Sequence, residues 1–381
     1  MKSKRIIAGI ISIITAVSLP VTTGAVGKIL SSDMTLTALQ KFADKNTYSY
    51  RIFEYEKENA QINADSKEYE LEYHKQLLRN ISRGDSQYAE YMLKADELEK
   101  ETAIAEMEQG YYEEGREEAD KKLNDLVLKS KYYELCGLEN QAEVQRANVQ
   151  YMKKYAEIES VKLERGNSTE TDCRLARVNL KMAENDLLSA ENAVHIKTRE
   201  VSDFMNQYSD NEKFSIDCVL PQKLVYRKFD AEKLYKKFSE NNFELKKNRK
   251  SMEYDRDQLE TVESLFGKES DTYIFYNNLY EIDTLNSEVL ENSYKSQITA
   301  LVSGYRQAYE KYEISSEYIA VLNEKLEILY TAYDSGNVSE LEYLKQCAEL
   351  RSEICLAENA AADADLLCEK LCLAEEGIWY E

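Results

Sequence analysis

The sequence predicts an all-α fold of long antiparallel coiled-coil helical hairpins in two tandem repeats, and three observations carry that reading. Helix breakers are scarce: two prolines and 12 glycines occur in 381 residues, whereas an all-β chain needs a turn every few residues. Apolar residues recur at steps of three and four in narrow stripes flanked by charge, the pattern of a coiled-coil seam. One turn sequence occurs twice, without gaps, at an offset of 170 residues.

At the N-terminus, Lys2, Lys4 and Arg5 precede a run without charge from Ile6 to Gly27. Its apolar part ends at Pro20, and small residues follow. This is the layout of a secretion signal over 1–27, with cleavage after Ala25 or Gly27; an uncleaved N-terminal membrane anchor is the alternative, because the run is about long enough to span a bilayer. Either way the body of the protein is expected outside the cytoplasm, secreted or associated with the cell envelope. No later apolar run escapes charge for long enough to cross a membrane as a helix.

The first repeat is expected over 28–208. It opens with "LQKFADKN", containing Leu39, Phe42 and Asn46, continues through Glu- and Lys-rich helical sequence, and reaches the turn Gly166-Asn167-Ser168. Beyond the turn, Leu180, Ala183, Leu187, Ala190 and Val194 mark the seam of another long helix. Ser209 to Lys228, with Pro221, loses the pattern and reads as an extended linker over 209–228. The second repeat, over 229–381, runs in the same order. Phe238 and Asn242 in "LYKKFSENN" match Phe42 and Asn46, and Gly336 and Asn337 match Gly166 and Asn167. Glu170 and Asp172 match Glu340 and Glu342. A glycine at such a reversal tolerates positive φ, and Ser168 and Ser339 are placed to cap the helices that follow.

The chain carries 71 Asp and Glu against 49 Lys and Arg, a net charge of −22. That balance argues against nucleic acid or anionic lipid as a partner and for a well-solvated surface. The seven cysteines show no metal-type spacing, and the two histidines, His74 and His195, stand apart from them; the cysteines read as small apolar fillers of helix seams. No metal or cofactor is expected. A Gly-rich phosphate loop, a nucleophile elbow and an HExxH motif are all missing from the sequence, so an enzyme is not expected. Tyrosine is the unusual component, at 29 residues.

The paired Asn segments and paired turns together resemble the TolC family of outer-membrane efflux proteins, over roughly residues 34 to 376. The resemblance implies a homotrimer whose hairpins pack side by side into a hollow tube. It places Gly166, Asn167, Ser168, Glu170, Gly336, Asn337, Ser339 and Glu340 at tips that dock the helical hairpin of an adaptor, serving an ABC-type or other exporter. It also makes Asp172 and Glu342 acids that line the entrance. One departure stands out. The family inserts two membrane-spanning strands into each half, and neither half here shows the required alternation; only Asp271 to Ile282 has strand-like residues, and it reads equally as helix. The implied function is an efflux or export duct component without its membrane barrel. A coiled-coil scaffold of the cell envelope that conducts nothing is the alternative.

Overall fold

The computed structural model describes residues 35–43, 47–85, 87–205 and 216–380. The expected secretion signal, Asn46 and the first part of the expected linker lie outside these residues. Those described belong to one compact unit, Ser32–Glu381.

Nine α-helices and no β-strand occur among the described residues. In the first half they are α1 (Leu36–Ala43), α2 (Tyr48–Arg79), α3 (Tyr88–Glu114), α4 (Arg116–Glu164) and α5 (Glu170–Phe204). In the second half they are α6 (Ala231–Asn241), α7 (Phe243–Phe266), α8 (Asp271–Asp334) and α9 (Glu340–Glu375). Each half has a short entry helix, an outgoing helix, a reversal, a long return, a second reversal and a final helix. The long return is split at Gly115 in the first half and continuous in the second. The strand-like stretch Asp271–Ile282 forms the first turns of α8, with Ser270 as its N-cap accepting from Tyr273 N at 3.1 Å. Where the resemblance would insert strands, the chain turns back at once, between α2 and α3 and between α7 and α8.

Helix pairing defines two antiparallel layers. Toward the turns at Gly166 and Gly336, α5 packs on α4, α4 on α9 and α9 on α8. Toward the opposite reversals, α2 packs on α3, α3 on α7 and α7 on α8. The stripes read from sequence are the packed faces. Cys173, Ala176 and Ala183 of α5 are buried, and Leu180, Leu187, Ala190 and Val194 continue the same line half-buried. In α8, Leu322 and Leu329 are buried on the equivalent face. Small side chains let such helices approach closely, and each apolar side chain taken fully out of water contributes about 1.5–3 kcal/mol.

The second half also has a continuous core where its entry helix meets the rest. Phe238 is fully buried, with its ring centroid 5.0 Å from that of Tyr294 and 5.6 Å from that of Trp379. The chain closes over this core through Gly377. Its φ is +82°, and a Cβ there would sit 2.5 Å from the carbonyl carbon of Asn241. The Gly377 carbonyl accepts from Asn242 Nδ2 at 2.9 Å, while Asn242 Oδ1 caps α7 by accepting from Leu245 N. One side chain thus caps a helix and anchors the C-terminal segment.

From 216 to 229 the chain is a non-helical strap laid across the helices. Such a segment has no ladder to satisfy its backbone, and buried tyrosine hydroxyls take that part. Tyr132 Oη donates to Asp217 O at 2.7 Å and accepts from Val219 N at 2.8 Å. Tyr312 Oη accepts from Leu224 N at 3.0 Å, Tyr309 Oη donates to Leu224 O at 3.3 Å, and Tyr305 Oη accepts from Arg227 N at 3.1 Å. The three tyrosines of α8 are spaced four and three, so they form one face of the helix.

Two substitutions test these contacts. Gly377→Ala, which meets both an unfavourable φ and a backbone clash, should cost about 3 kcal/mol in urea unfolding with helicity retained. Tyr312→Phe should cost about 1–2 kcal/mol, because the Leu224 amide loses its acceptor, and hydrogen exchange should rise along the strap.

Candidate functional site

The two turns expected to be tips share one backbone. In the first, Gly166 has φ +74°, Gly166 N donates to Leu163 O at 3.0 Å, and Asn167 N donates to Lys162 O at 2.8 Å. In the second, Gly336 has φ +75°, Gly336 N donates to Tyr333 O and Asn337 N donates to Ala332 O, both at 2.9 Å. These are the paired bonds of a Schellman motif, which satisfies the last carbonyls of a helix and requires a left-handed residue at the glycine position.

The caps that follow correct one expectation. Ser339 caps α9, accepting from Glu342 N at 3.2 Å. In the first turn Thr169, not Ser168, caps α5. Its Oγ1 accepts from Asp172 N at 3.1 Å, and Asp172 Oδ2 accepts from Thr169 N at 3.3 Å, closing a reciprocal capping box. The reason is register: Thr169 stands three residues before Asp172, as Ser339 stands before Glu342. Asp172 and Glu342 therefore occupy the third position of their helices, where a carboxylate faces free amides and the positive end of the dipole.

Ser168 turns the other way and donates to Glu159 Oε2 at 2.8 Å, while Lys162 Nζ pairs with Glu159 Oε1 at 2.7 Å. The bond from Lys162, then that from Ser168, holds the Glu159 carboxyl below the ordinary range. At the matching positions the second turn has Leu329, which is buried, and Val338. The tips thus share a backbone and differ in what braces it, polar in one and apolar in the other. Tyr333 and Tyr343 add a stacked pair across the second turn, with centroids 4.5 Å apart.

The outward acids are also unlike. Glu340 is ion-paired with Lys154 of α4, which ties the second tip to the first hairpin. Glu170 is exposed and makes no ion pair or side-chain hydrogen bond among the described residues. Asn337 Nδ2 donates to Ser335 Oγ at 2.9 Å within its own turn. Sequence reasoning did not single out Glu159, Lys162, Thr169 or Lys154; of these only Thr169 carried a signal, as the first member of a Thr-x-x-Asp cap.

Elsewhere, a cleft of about 540 Å³ lies between α2, α3 and α7, and its lysines are already committed. Lys67 pairs with Glu101, Lys100 with Asp255 and Lys247 with Glu108. No group of three or more metal-ligating side chains occurs among the described residues.

Two helical hairpins ending in matched turns, repeated within one chain and packed in an open layer, define the helical-hairpin fold of TolC-type outer-membrane channels. Solved structures agree. The outer membrane protein VceC of Vibrio cholerae matches with a TM-score of 0.56 and 13% identity, over 91% of this chain and 97% of that one. The CmeC outer membrane channel of Campylobacter jejuni matches at 0.57 and 10% identity, over 90% and 86%. The open state of the MtrE outer membrane channel of Neisseria gonorrhoeae matches at 0.52 and 11%, over 90% and 89%. No family model and no curated protein matches the chain.

Thr169→Ala should destabilise the start of α5 by about 1 kcal/mol, read as faster amide exchange over 170–173. The Glu159 brace makes the first tip acid-sensitive in a defined direction. A carboxyl held low contributes fully above about pH 4.5 and loses that contribution as pH falls through its lowered value. Amide exchange at 165–173, corrected for intrinsic rates, should therefore rise below pH 4, while 335–343 changes less. Glu159→Gln should abolish the difference.

Proposed function

We propose that this chain is the subunit of a TolC-like export duct, built from a secreted or envelope-anchored homotrimer that meets a helical-hairpin adaptor at its two tips. The observation that carries the reading is an open layer with two uncovered edges. In the order α5, α4, α9, α8, the outer helices α5 and α8 each have one packed neighbour in the layer. Both outer helices keep apolar stripes in solvent. On α5 these are Leu175, Val178 and Met182, and on α8 they are Ile314, Tyr318, Val321 and Ile328. Toward the other end, Tyr55, Ile62 and Tyr69 of α2 and Ile282, Leu285 and Val289 of α8 repeat the arrangement. Uncovered apolar surface of this extent marks an interface.

The occupant is a second copy of the chain. Edges of α5 and α8 type occur once each per subunit and would join head to tail, a contact that closes into a ring when the rotation between copies completes a circle. A single layer encloses nothing, and three copies follow from the resemblance to trimeric ducts. The matched turns would then lie at one rim, where Gly166, Asn167, Ser168 and Glu170, with Gly336, Asn337, Ser339 and Glu340, present a polar socket to an adaptor. Asp172 and Glu342 would line the entrance, and with no barrel strand among the described residues the other end would lie in the cell wall or envelope space.

Assembly is tested by light scattering at tens of micromolar. The wild type should be trimeric, and Met182→Glu should give monomers with an unchanged helical spectrum. A monomeric wild type would support the non-conducting scaffold instead. Docking is tested separately: bulky residues at Glu170 and Glu340 should leave the thermal midpoint within the range of exposed changes, about 0.5 kcal/mol, yet abolish adaptor crosslinking and export. Normal export by the double variant would reduce the tips to simple turns.

A further inference from the structure

All seven cysteines are free thiols, and six of them lie in helices. Cys218 alone lies on the strap, and its thiol neighbours that of Cys136 on α4, 82 residues away. The strap is fixed at this point. Tyr132, one turn before Cys136, holds both the carbonyl of Asp217 and the amide of Val219, so the backbone on either side of Cys218 is tied beside Cys136. Cys136 is 1% exposed and Cys218 is half-buried, with the Glu139 carboxyl beside it. Cys368 and Cys372 also neighbour each other, but they are four apart on one helix, a poor geometry for a bridge.

We propose that Cys136 and Cys218 are a disulfide-forming pair, oxidised by exchange with a small-molecule or protein disulfide, and that the bond locks the strap to α4. Cys218, the reachable sulfur, loses its proton and attacks one sulfur of the oxidant. The oxidant's S–S bond breaks and one thiolate leaves. Cys136, deprotonated in turn, attacks the Cys218 sulfur in the mixed disulfide, and the second thiolate leaves. The two protons end on the two oxidant thiols, and two electrons pass from the protein pair to the oxidant. Contact with Cys136, then burial, holds the Cys218 thiol well above its usual range, so the first attack is slow at neutral pH. A link between positions this far apart constrains the unfolded chain far more than the folded one. The inference is independent of the duct reading, since it concerns one subunit.

The test uses the purified full chain. It is incubated with oxidised glutathione, free thiols are trapped with iodoacetamide, and the digest is mapped by mass without reductant. The expected product joins the Cys136 peptide to the Cys218 peptide, with a thermal midpoint several degrees higher; Cys218→Ser should lose both. Cys136→Ser should accumulate a stable glutathione adduct at Cys218, because nothing resolves it. The proposal is overturned if wild-type protein ends with glutathione on Cys218 and a free Cys136. It is equally overturned if both thiols stay unreacted under conditions that oxidise the unfolded chain.

Discussion

Each long helix here must bury a narrow stripe against a flat neighbour, and most of the structure follows from that constraint. With no globular interior to fill, stability accumulates along seams, and close approach of backbones matters more than bulk. The composition of each helix therefore reports its place in the layer. α9 lies between α4 and α8, and Ala360, Ala361, Ala362 and Ala364 are all buried within a single turn and a half. α5 lies at an edge, and its buried residues, Cys173, Ala176, Ala183 and Val201, fall on one face. Bulk is concentrated where the entry helix and the C-terminal segment meet, around Phe238, Tyr294 and Trp379.

The two tips separate what a turn needs from what a particular turn uses. Reversal of a helix requires a left-handed glycine, two satisfied terminal carbonyls and a side-chain cap on the next helix. Both tips meet those demands with the same bonds. The brace beneath the turn is not so constrained: Glu159 with Lys162 and Ser168 fills the place that Leu329 and Val338 fill in the other half. An apolar pair and a satisfied polar trio are interchangeable supports, provided that no polar atom is left alone. They differ in response to solvent, since only the polar one changes with acid.

Much of the fold was legible because it rests on local rules. Three-and-four spacing located the seam of α5, and Gly-Asn located both tips. Ser339, read as a cap after the second break, does cap α9. Ser168 misled because a serine next to a Gly-Asn break looks like a cap, while register gives that part to Thr169. The tyrosine clamp was not legible at all. Tyr132 and Tyr312 lie far from residues 217–224 in sequence, and no spacing rule links a helix hydroxyl to a distant strap. Nor could sequence show that Glu340 is paired with Lys154 while Glu170 is exposed, since that contact depends on how α4 and α9 are aligned. The short reversals between α2 and α3 and between α7 and α8 were readable only as missing alternation.

The break at Gly115 has a mechanical consequence. In the first half the long return is two rods, α3 and α4, meeting at a residue outside helical geometry, with φ −134° and ψ −27°. In the second half α8 is one rod of 64 residues, about 96 Å long. A tilt imposed at one end of α8 is carried as a lever to the other, whereas the same tilt on α3 can be absorbed at the joint before it reaches α4. Strain applied to the ends of α3 and α8 far from the tips is therefore transmitted to the tips unequally: stiffly to the turn at Gly336 and compliantly to the turn at Gly166.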